Sequence, residues 1–307
     1  MQPVKAIALK LCAVFLFIIM SALIKAASDH VPTGQAVFFR SAFAIPVILI
    51  WLAVRGTLST GLRAKSPMAH FWRGLIGTMA MGLSFAGLGL LPLPEVTALG
   101  YAAPLLTVVF AAMFLGEKVG IYRISAVAMG LVGVLIVLAP RLSILSGPTV
   151  QTSEALGAIC VLAGALCAAL TAIYIRKMVA TEQTSAIVFY FAATSTTLSL
   201  LTLPFGWVVP SGQETALLVM AGFIGGTAQI FMTSAYRFGD ASVLAPFDYT
   251  SMIFAIAIGY FIFSEVPTTP MLGGATLVIL AGCLIIWRES LLGMRRNKAS
   301  AARTPQG

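Results

Sequence analysis

Charged side chains are scarce in this chain. Asp, Glu, Lys and Arg make up 9% of its 307 residues, whereas 59% of the residues are hydrophobic. A soluble domain carries roughly 25% charged residues, so this chain lacks the charge needed to cover a water-facing surface. Its apolar residues fall into about ten blocks whose length matches the thickness of a bilayer core. The composition predicts an all-α polytopic membrane protein and excludes soluble, fibrous and disordered classes.

Motifs that carry chemistry are scarce as well. None of the four cysteines belongs to a CxxC pair or lies beside a histidine cluster, so neither disulfide bonds nor a metal site is expected. The ATP-binding pattern GxxxxGK(S/T) does not occur, and neither does an HExxH, GxSxG or paired-carboxylate pattern. We therefore expect no metal, no cofactor and no enzymatic activity. The first apolar block lacks a cleavage site, so it is expected to be a span and not a signal peptide.

Ten transmembrane helices are predicted from the apolar blocks. They are placed at residues 6–27, 34–54, 68–91, 94–115, 121–139, 154–176, 183–205, 213–236, 241–263 and 268–288. The connections between them are very short, so successive spans must be antiparallel neighbours. No domain outside the membrane is expected.

The basic residues predict how the chain is oriented. Of its 19 Lys and Arg residues, 16 fall on the side that holds the N-terminus, the even-numbered connections and the C-terminus. Because cytoplasmic loops carry an excess of Lys and Arg, both termini are expected in the cytoplasm. This topology accounts for the net charge of +9. Attraction to anionic lipid headgroups is expected, and a nucleic-acid partner is not.

The two halves of the chain resemble each other. The segment from Gly100-Tyr101 to Gly116-Glu117 aligns without gaps with Asp248-Tyr249 to Ser264-Glu265. The other matches are Gly77-Thr78 with Gly226-Thr227, Gly133 with Gly282, and Ala36-Val37-Phe38-Phe39 with Ala186-Ile187-Val188-Phe189. The chain is therefore predicted to contain two units, residues 6–139 and 154–288, followed by a basic cytoplasmic tail at residues 289–307.

Each predicted unit has five spans, which is an odd number, so the second unit must enter the membrane inverted relative to the first. Inverted repeats are the architecture of secondary transporters, because two packings of such a pair expose a central site to opposite sides in turn. A receptor or a membrane-embedded enzyme does not need this symmetry. The repeat therefore predicts alternating-access transport of a small-molecule substrate, for which a monomer is sufficient; the oligomeric state is left open.

The chain resembles the drug/metabolite transporter superfamily with two EamA-type domains. The segments that carry the resemblance are Ala103-Pro104 to Leu115-Gly116-Glu117 and Ala241-Ser242-Val243 to Phe263-Ser264-Glu265, and Met252 replaces Pro104 in the second copy. Val37-Phe38-Phe39-Arg40-Ser41 and Leu90-Leu91-Pro92-Leu93-Pro94-Glu95 resemble an alphaproteobacterial branch that includes riboflavin importers. The resemblance implies a multi-pass protein of the bacterial inner membrane that takes up riboflavin. Members of the superfamily also move S-adenosylmethionine, amino acids and drugs.

Ionisable residues inside the spans are the first candidates for a substrate site, because a buried charge in a bilayer is costly unless it is paired. Asp248 lies seven residues into the ninth span, about 10 Å deep at 1.5 Å per residue. It is expected to line a central cavity, or alternatively to cap a helix break near Pro246. Arg40 lies at a similar depth in the second span. It is expected either to recognise an anionic or carbonyl-bearing substrate, to pair with Glu95, or to snorkel to the headgroups.

Uncharged residues complete the predicted substrate site. Tyr101 and Tyr249 occupy equivalent repeat positions and could stack on a flat ring from both sides, although ordinary packing with hydroxyl hydrogen bonds explains them equally well. Gln229 and Thr227 lie at a depth close to that of Asp248. This set suits riboflavin, whereas a sulfonium paired with Asp248 would suit S-adenosylmethionine. Two more hypotheses are export of amino acids or drugs, and a membrane sensor that transports nothing.

Three further charged residues are expected to have structural roles. Lys25 lies near the outer end of the first span and is expected to snorkel to the headgroups. Glu117 and Glu265 end equivalent spans on opposite sides of the membrane. These two acids are expected to act as gates or helix caps and not as substrate ligands.

Overall fold

The computed structural model describes residues 3–115, 121–142, 149–178, 181–238 and 244–301. Glu117 lies outside the described residues. The described residues form thirteen α-helices and two short 3-10 segments, Leu203–Phe205 and Ala245–Thr250. The helices are α1 Pro3–Ala27, α2 Thr33–Ala42, α3 Ala44–Val54, α4 Leu58–Gly61, α5 Pro67–Leu90, α6 Leu93–Gly100, α7 Ala102–Leu115, α8 Ile121–Leu142, α9 Thr149–Met178, α10 Thr184–Leu200, α11 Gly212–Phe238, α12 Ser251–Phe263 and α13 Thr269–Ala301.

Ten apolar segments follow the ten predicted spans in order. Six are long and apolar enough to cross a membrane, and four are shorter apolar helices. Large side chains such as Phe261 and Ile253 are exposed on the outside of the bundle, where lipid replaces water as the solvent. The predicted all-α polytopic fold is confirmed. The final helix differs from expectation, because α13 continues to Ala301 instead of ending near residue 288.

Two spans are broken three residues before a proline. The second span divides into α2 and α3 at Phe43, before Pro46, and the fourth divides into α6 and α7 at Tyr101, before Pro104. Proline has no N–H to donate to the carbonyl four residues earlier and its ring crowds that turn, which explains both breaks. The ninth span lacks the equivalent proline. It starts instead with the 3-10 segment Ala245–Thr250, which leads into α12.

Helix packing across the two halves follows a pseudo-twofold pattern. The first span, α1, packs along α11 of the second half, and the equivalent sixth span, α9, packs along α5 of the first half. The remaining spans contact their own repeat mates: α2 packs on α10, α6 on α12 and α8 on α13. Each contact therefore has an equivalent under exchange of the halves. This arrangement agrees with two five-span repeats of opposite orientation.

Glycines allow the fifth and tenth spans to approach closely. A Cβ added at Gly133 of α8 would lie 2.6 Å from the carbonyl oxygen of Gly274 in α13. A Cβ added at Gly274 would lie 2.5 Å from the carbonyl oxygen of Gly133. Small residues drive helix association in membranes because they let backbones come together. A larger residue at either position would separate the two halves at this contact.

Candidate functional site

A cavity of about 520 Å³ lies between the two halves of the bundle. Its walls come from α1, α2 and α5 of the first half and from α9 and α10 of the second. Small-molecule sites typically measure roughly 300–1,000 Å³, so this cavity can hold an ordinary metabolite. The lining residues are Phe17, Met20, Arg40, Arg73, Gly77, Ala80, Met81, Ser84, Phe85, Ala168, Thr171, Ala172, Ile175 and Phe191.

Two arginines from the first half form the charged part of this wall. Arg40 on α2 and Arg73 on α5 are each only 5% exposed. The guanidinium carbon Cζ of Arg73 lies 3.7 Å from the ring centroid of Phe191 on α10, and that of Arg40 lies 5.6 Å from the same centroid. One aromatic ring of the second half therefore positions two cations of the first half by cation–π contact.

The two arginines have N–H groups without partners. Nε of Arg40, and Nε and Nη1 of Arg73, are buried and have no hydrogen-bond partner among the described residues. Neither guanidinium forms a salt bridge within the described part of the chain. Pairing of Arg40 with Glu95 and snorkelling to the headgroups are both excluded by this geometry. Arg40 lines the cavity, and its role as a substrate ligand stays a prediction.

Arg73 is a candidate residue that sequence reasoning missed. The sequence counts Arg73 with the basic residues of the cytoplasmic side, because it lies near the start of the third span. Its side chain points instead into the bundle, where Nη1 lies 3.4 Å from a Cβ added at Gly77. The depth of Arg73, six residues beyond Pro67 in α5, is the signal that could have identified it, since the same depth drew attention to Arg40.

Asp248 lies apart from this cavity and is paired. Its Oδ1 lies 2.7 Å from Nζ of Lys10 on α1, whose side chain is 1% exposed. Lys10 Nζ also lies 3.2 Å from Sδ of Met232 on α11. Counting basic residues places Lys10 on the cytoplasmic side, and the structure adds that its side chain faces the neighbouring helices. Asp248 occupies the 3-10 segment that follows Pro246, which agrees with its predicted position at a helix break.

Tyr101 and Tyr249 contact each other across the pseudo-twofold axis. Their ring centroids are 5.1 Å apart and the rings are nearly perpendicular at 72°. The Tyr101 hydroxyl lies 2.6 Å from Oγ of Ser251 and donates to the carbonyl oxygen of Tyr249 at 3.3 Å. Both tyrosines are buried. In this conformation the rings pack on each other, which agrees with the interpretation of the pair as ordinary helix packing.

Gln229 and Thr227 lie on α11 in different surroundings. Gln229 lines a second, small space next to Arg40, Phe191 and Gly225. Thr227 donates its hydroxyl to the carbonyl oxygen of Phe223, one turn earlier in the same helix. The structure therefore brings Gln229 and Arg40 together, groups Asp248 with the tyrosines, and leaves Thr227 engaged with its own helix.

A second ion pair joins α1 to the end of the ninth span. Lys25 Nζ lies 3.0 Å from Oε1 of Glu265, and Oε2 of Glu265 accepts a hydrogen bond from the Leu93 N–H at the start of α6. Lys25 also donates to the carbonyl oxygens of Leu88 and Leu91. The expectation that Lys25 snorkels was wrong, because its ammonium has three protein acceptors. Glu265 therefore connects the first, fourth and ninth spans at one end of the bundle.

A third acid fixes the opposite end. Glu182, between α9 and α10, accepts hydrogen bonds from the N–H groups of Lys65 and Ser66 at the start of α5. Its Oε2 lies 3.3 Å from Nε2 of His70. The hydrogen bonds from the Lys65 and Ser66 N–H groups, with the contact to His70, lower the pKa of Glu182 below its ordinary value despite the opposing effect of burial. This carboxylate caps α5 from the other half.

Known proteins similar to this chain are named as transporters. It is 31% identical to the "Pseudopaline exporter CntI" of Pseudomonas aeruginosa, over 91% of this chain and 95% of that protein. It is 28% identical to the "S-adenosylmethionine uptake transporter" of Rickettsia felis, over 86% of each chain. It is 28% identical to the "Riboflavin transporter" of Rhizobium johnstonii, over 88% of this chain and 85% of that protein.

A solved structure shares the fold. It is titled "Crystal structure of protein", is 20% identical, covers 92% of this chain and 97% of that one, and superposes with a TM-score of 0.66. The paired halves and the cavity between them define a polytopic helical transporter. The model of the EamA-like transporter family matches residues 4–139 and 155–288. The chain belongs to this family, and it is a multi-pass protein of the bacterial inner membrane.

Proposed function

We propose that this chain is a secondary transporter that moves a small organic metabolite through the cavity by alternating access. The observation that carries this proposal is the cavity itself, which has the volume of a metabolite site and has walls from both halves. Rocking of one half against the other would expose such a site to each side in turn. The cavity forms within one chain, so a monomer is sufficient. We expect no catalytic activity.

Two substrates named for relatives are the candidates. Riboflavin is the expectation from the sequence, and it is supported by the relative from Rhizobium johnstonii. S-adenosylmethionine is supported to the same degree by the relative from Rickettsia felis. The cavity volume admits either molecule. Export of a different metabolite is a third candidate activity, and the exporter from Pseudomonas aeruginosa supports it.

Reconstitution tests the proposal directly. The purified chain in proteoliposomes is expected to accelerate entry of at least one labelled metabolite, from a set that includes riboflavin, S-adenosylmethionine and organic acids, about tenfold or more over empty vesicles. Preloaded vesicles test export by the same assay. Complementation of a riboflavin-auxotrophic bacterium at low external vitamin separates riboflavin uptake from the remaining candidates. If no metabolite in the set crosses faster than through empty vesicles, the transport proposal fails and a non-transporting membrane sensor becomes the better account.

A further inference from the structure

The unpaired arginines of the cavity carry an inference about the substrate. We propose that Arg40 and Arg73 bind the carboxylate groups of the transported metabolite, so that the substrate class is organic acids of net negative charge. This inference rests on the transport function proposed above. It adds a chemical requirement that the cavity volume alone does not set, and it assigns a binding role to Arg73.

Neither cavity arginine has a counter-ion among the described residues. An ionisable group inside a membrane is costly and is normally paired or directed at a cavity. Lys10 and Lys25 have acidic partners, Asp248 and Glu265. Arg40 and Arg73 are buried equally well but have none among the described residues. Because no described residue balances their charges, we infer that a group from outside the chain does so.

Both guanidinium groups also have N–H donors without an acceptor among the described residues. Contact with the Phe191 ring engages the positive charge of a guanidinium and uses no N–H group. Nε of Arg40, and Nε and Nη1 of Arg73, are buried and have no acceptor among the described residues. A guanidinium presents its N–H groups as a planar fork that matches the two oxygens of a carboxylate. The ring thus holds the two forks in place and leaves their hydrogen-bonding capacity for a ligand.

The described lining of the cavity contains no acidic residue. The lining residues include two arginines, Ser84 and Thr171 as their polar members, and no Asp or Glu. A substrate with its own cations would meet no counter-charge there. A dicarboxylate or tricarboxylate would meet both arginines without adding a cation. Riboflavin has no carboxylate, and the single carboxylate of S-adenosylmethionine is outnumbered by its sulfonium and ammonium.

Thermal unfolding of the purified full-length chain in detergent tests this inference. Succinate, glutarate and citrate are each compared with their methyl esters, with chloride at equal ionic strength as the salt control. At saturating concentration at least one acid is expected to raise the melting temperature by about 2–4 °C. The corresponding ester is expected to give no increase. Arg40→Gln and Arg73→Gln are expected to abolish the increase, and Thr276→Val, which alters α13 outside this cavity, is expected to retain it.

Two outcomes would overturn the inference. One is that no acid stabilises the protein more than its ester, and the other is that inorganic phosphate stabilises it more than every carboxylate. Riboflavin and S-adenosylmethionine are included in the same measurement, and each is expected to stabilise less than the best acid. The readout is binding and not transport. If an acid binds but neither that acid nor any other metabolite in the set crosses the proteoliposome membrane in either direction, the transport proposal fails while the carboxylate site stands.

Discussion

Lys10 of α1 and the two arginines of the cavity are buried and Lys25 of α1 is partly buried, yet only the two lysines have acidic partners among the described residues. Lys10 and Lys25 tie α1 to the two ends of the ninth span through Asp248 and Glu265. These contacts connect the first half to the second. The arginines also reach the second half, but through the Phe191 ring. Among the described residues, the paired lysines therefore connect helices, whereas the two arginines without acidic partners line the cavity.

The largest effect is expected when the ion pair between Lys10 and Asp248 is broken. Asp248→Asn leaves the Lys10 ammonium buried without its acid, and loss of one partner from a buried pair costs about 3–5 kcal/mol. Lys10→Met is expected to cost less, because the Asp248 side chain is 40% exposed whereas that of Lys10 is 1% exposed. Thermal unfolding in detergent measures both variants. Equal stability of Asp248→Asn and the unmodified chain would contradict the structural role of this pair.

A smaller effect is expected at the other end of α1. Glu265→Gln removes the negative charge that faces Lys25 and weakens the acceptor for the Leu93 N–H, and hydrogen bonds to charged groups contribute about 1.5–3 kcal/mol. Lys25 retains two carbonyl acceptors, which limits the loss. Glu214→Gln is the matched control, since its partner His30 is exposed. If both variants unfold at the same temperature, the Lys25–Glu265 contact between α1 and the ninth span contributes no more to stability than the exposed His30–Glu214 contact.

Acidification tests the third acid that bridges the halves. The folded-state pKa of Glu182 is lower than its ordinary value of 4.5, so its stabilising contribution is complete above that value and is lost as the pH falls through the folded pKa. The melting temperature of the unmodified chain should fall more steeply than that of Glu182→Gln between about pH 6 and about pH 3. Parallel curves would show that this carboxylate does not stabilise the start of α5.

The smallest effect is expected at Thr227. Its hydroxyl bonds the carbonyl of Phe223 in the same helix, so Thr227→Val should change stability by less than about 0.5 kcal/mol. Transport should also stay within about twofold of the unmodified rate, since a shift of that size is under 0.5 kcal/mol. A large loss of transport would return Thr227 to the substrate site, where the sequence had placed it.

The fold was predictable because a bilayer imposes simple constraints. Span length, apolar content and the odd number of spans per half lead to an inverted ten-span bundle without knowledge of side-chain contacts. The internal alignment also placed Tyr101 and Tyr249 at equivalent positions, and these side chains meet in the structure. The sequence therefore predicts well those features that follow from depth in the membrane and from repeat symmetry.

The site was harder to predict, because the direction in which each helix faces decides which charges meet. Lys10 and Arg73 lie near span ends, and counting basic residues assigned both to the cytoplasmic surface. Rotation of α1 and α5 directs them inward instead. The repeat alignment does not help, because it matches each of the two charged candidates for the substrate site with an uncharged residue. Asp248 is matched with Gly100, and extending the segment that begins at Ala36 and Ala186 matches Arg40 with Tyr190. The charged residues break the symmetry that made the fold predictable.

Arg73→Met gives the most direct test of the central claim, with uptake and melting temperature measured on one preparation. A buried charge at mid-membrane costs several kcal/mol when unpaired. Its removal should therefore leave the melting temperature unchanged or higher, while uptake of the transported metabolite falls at least tenfold. Full uptake by Arg73→Met would contradict the claim that the unpaired arginines serve the ligand. A melting temperature lowered as far as in Asp248→Asn would show that Arg73 is structural.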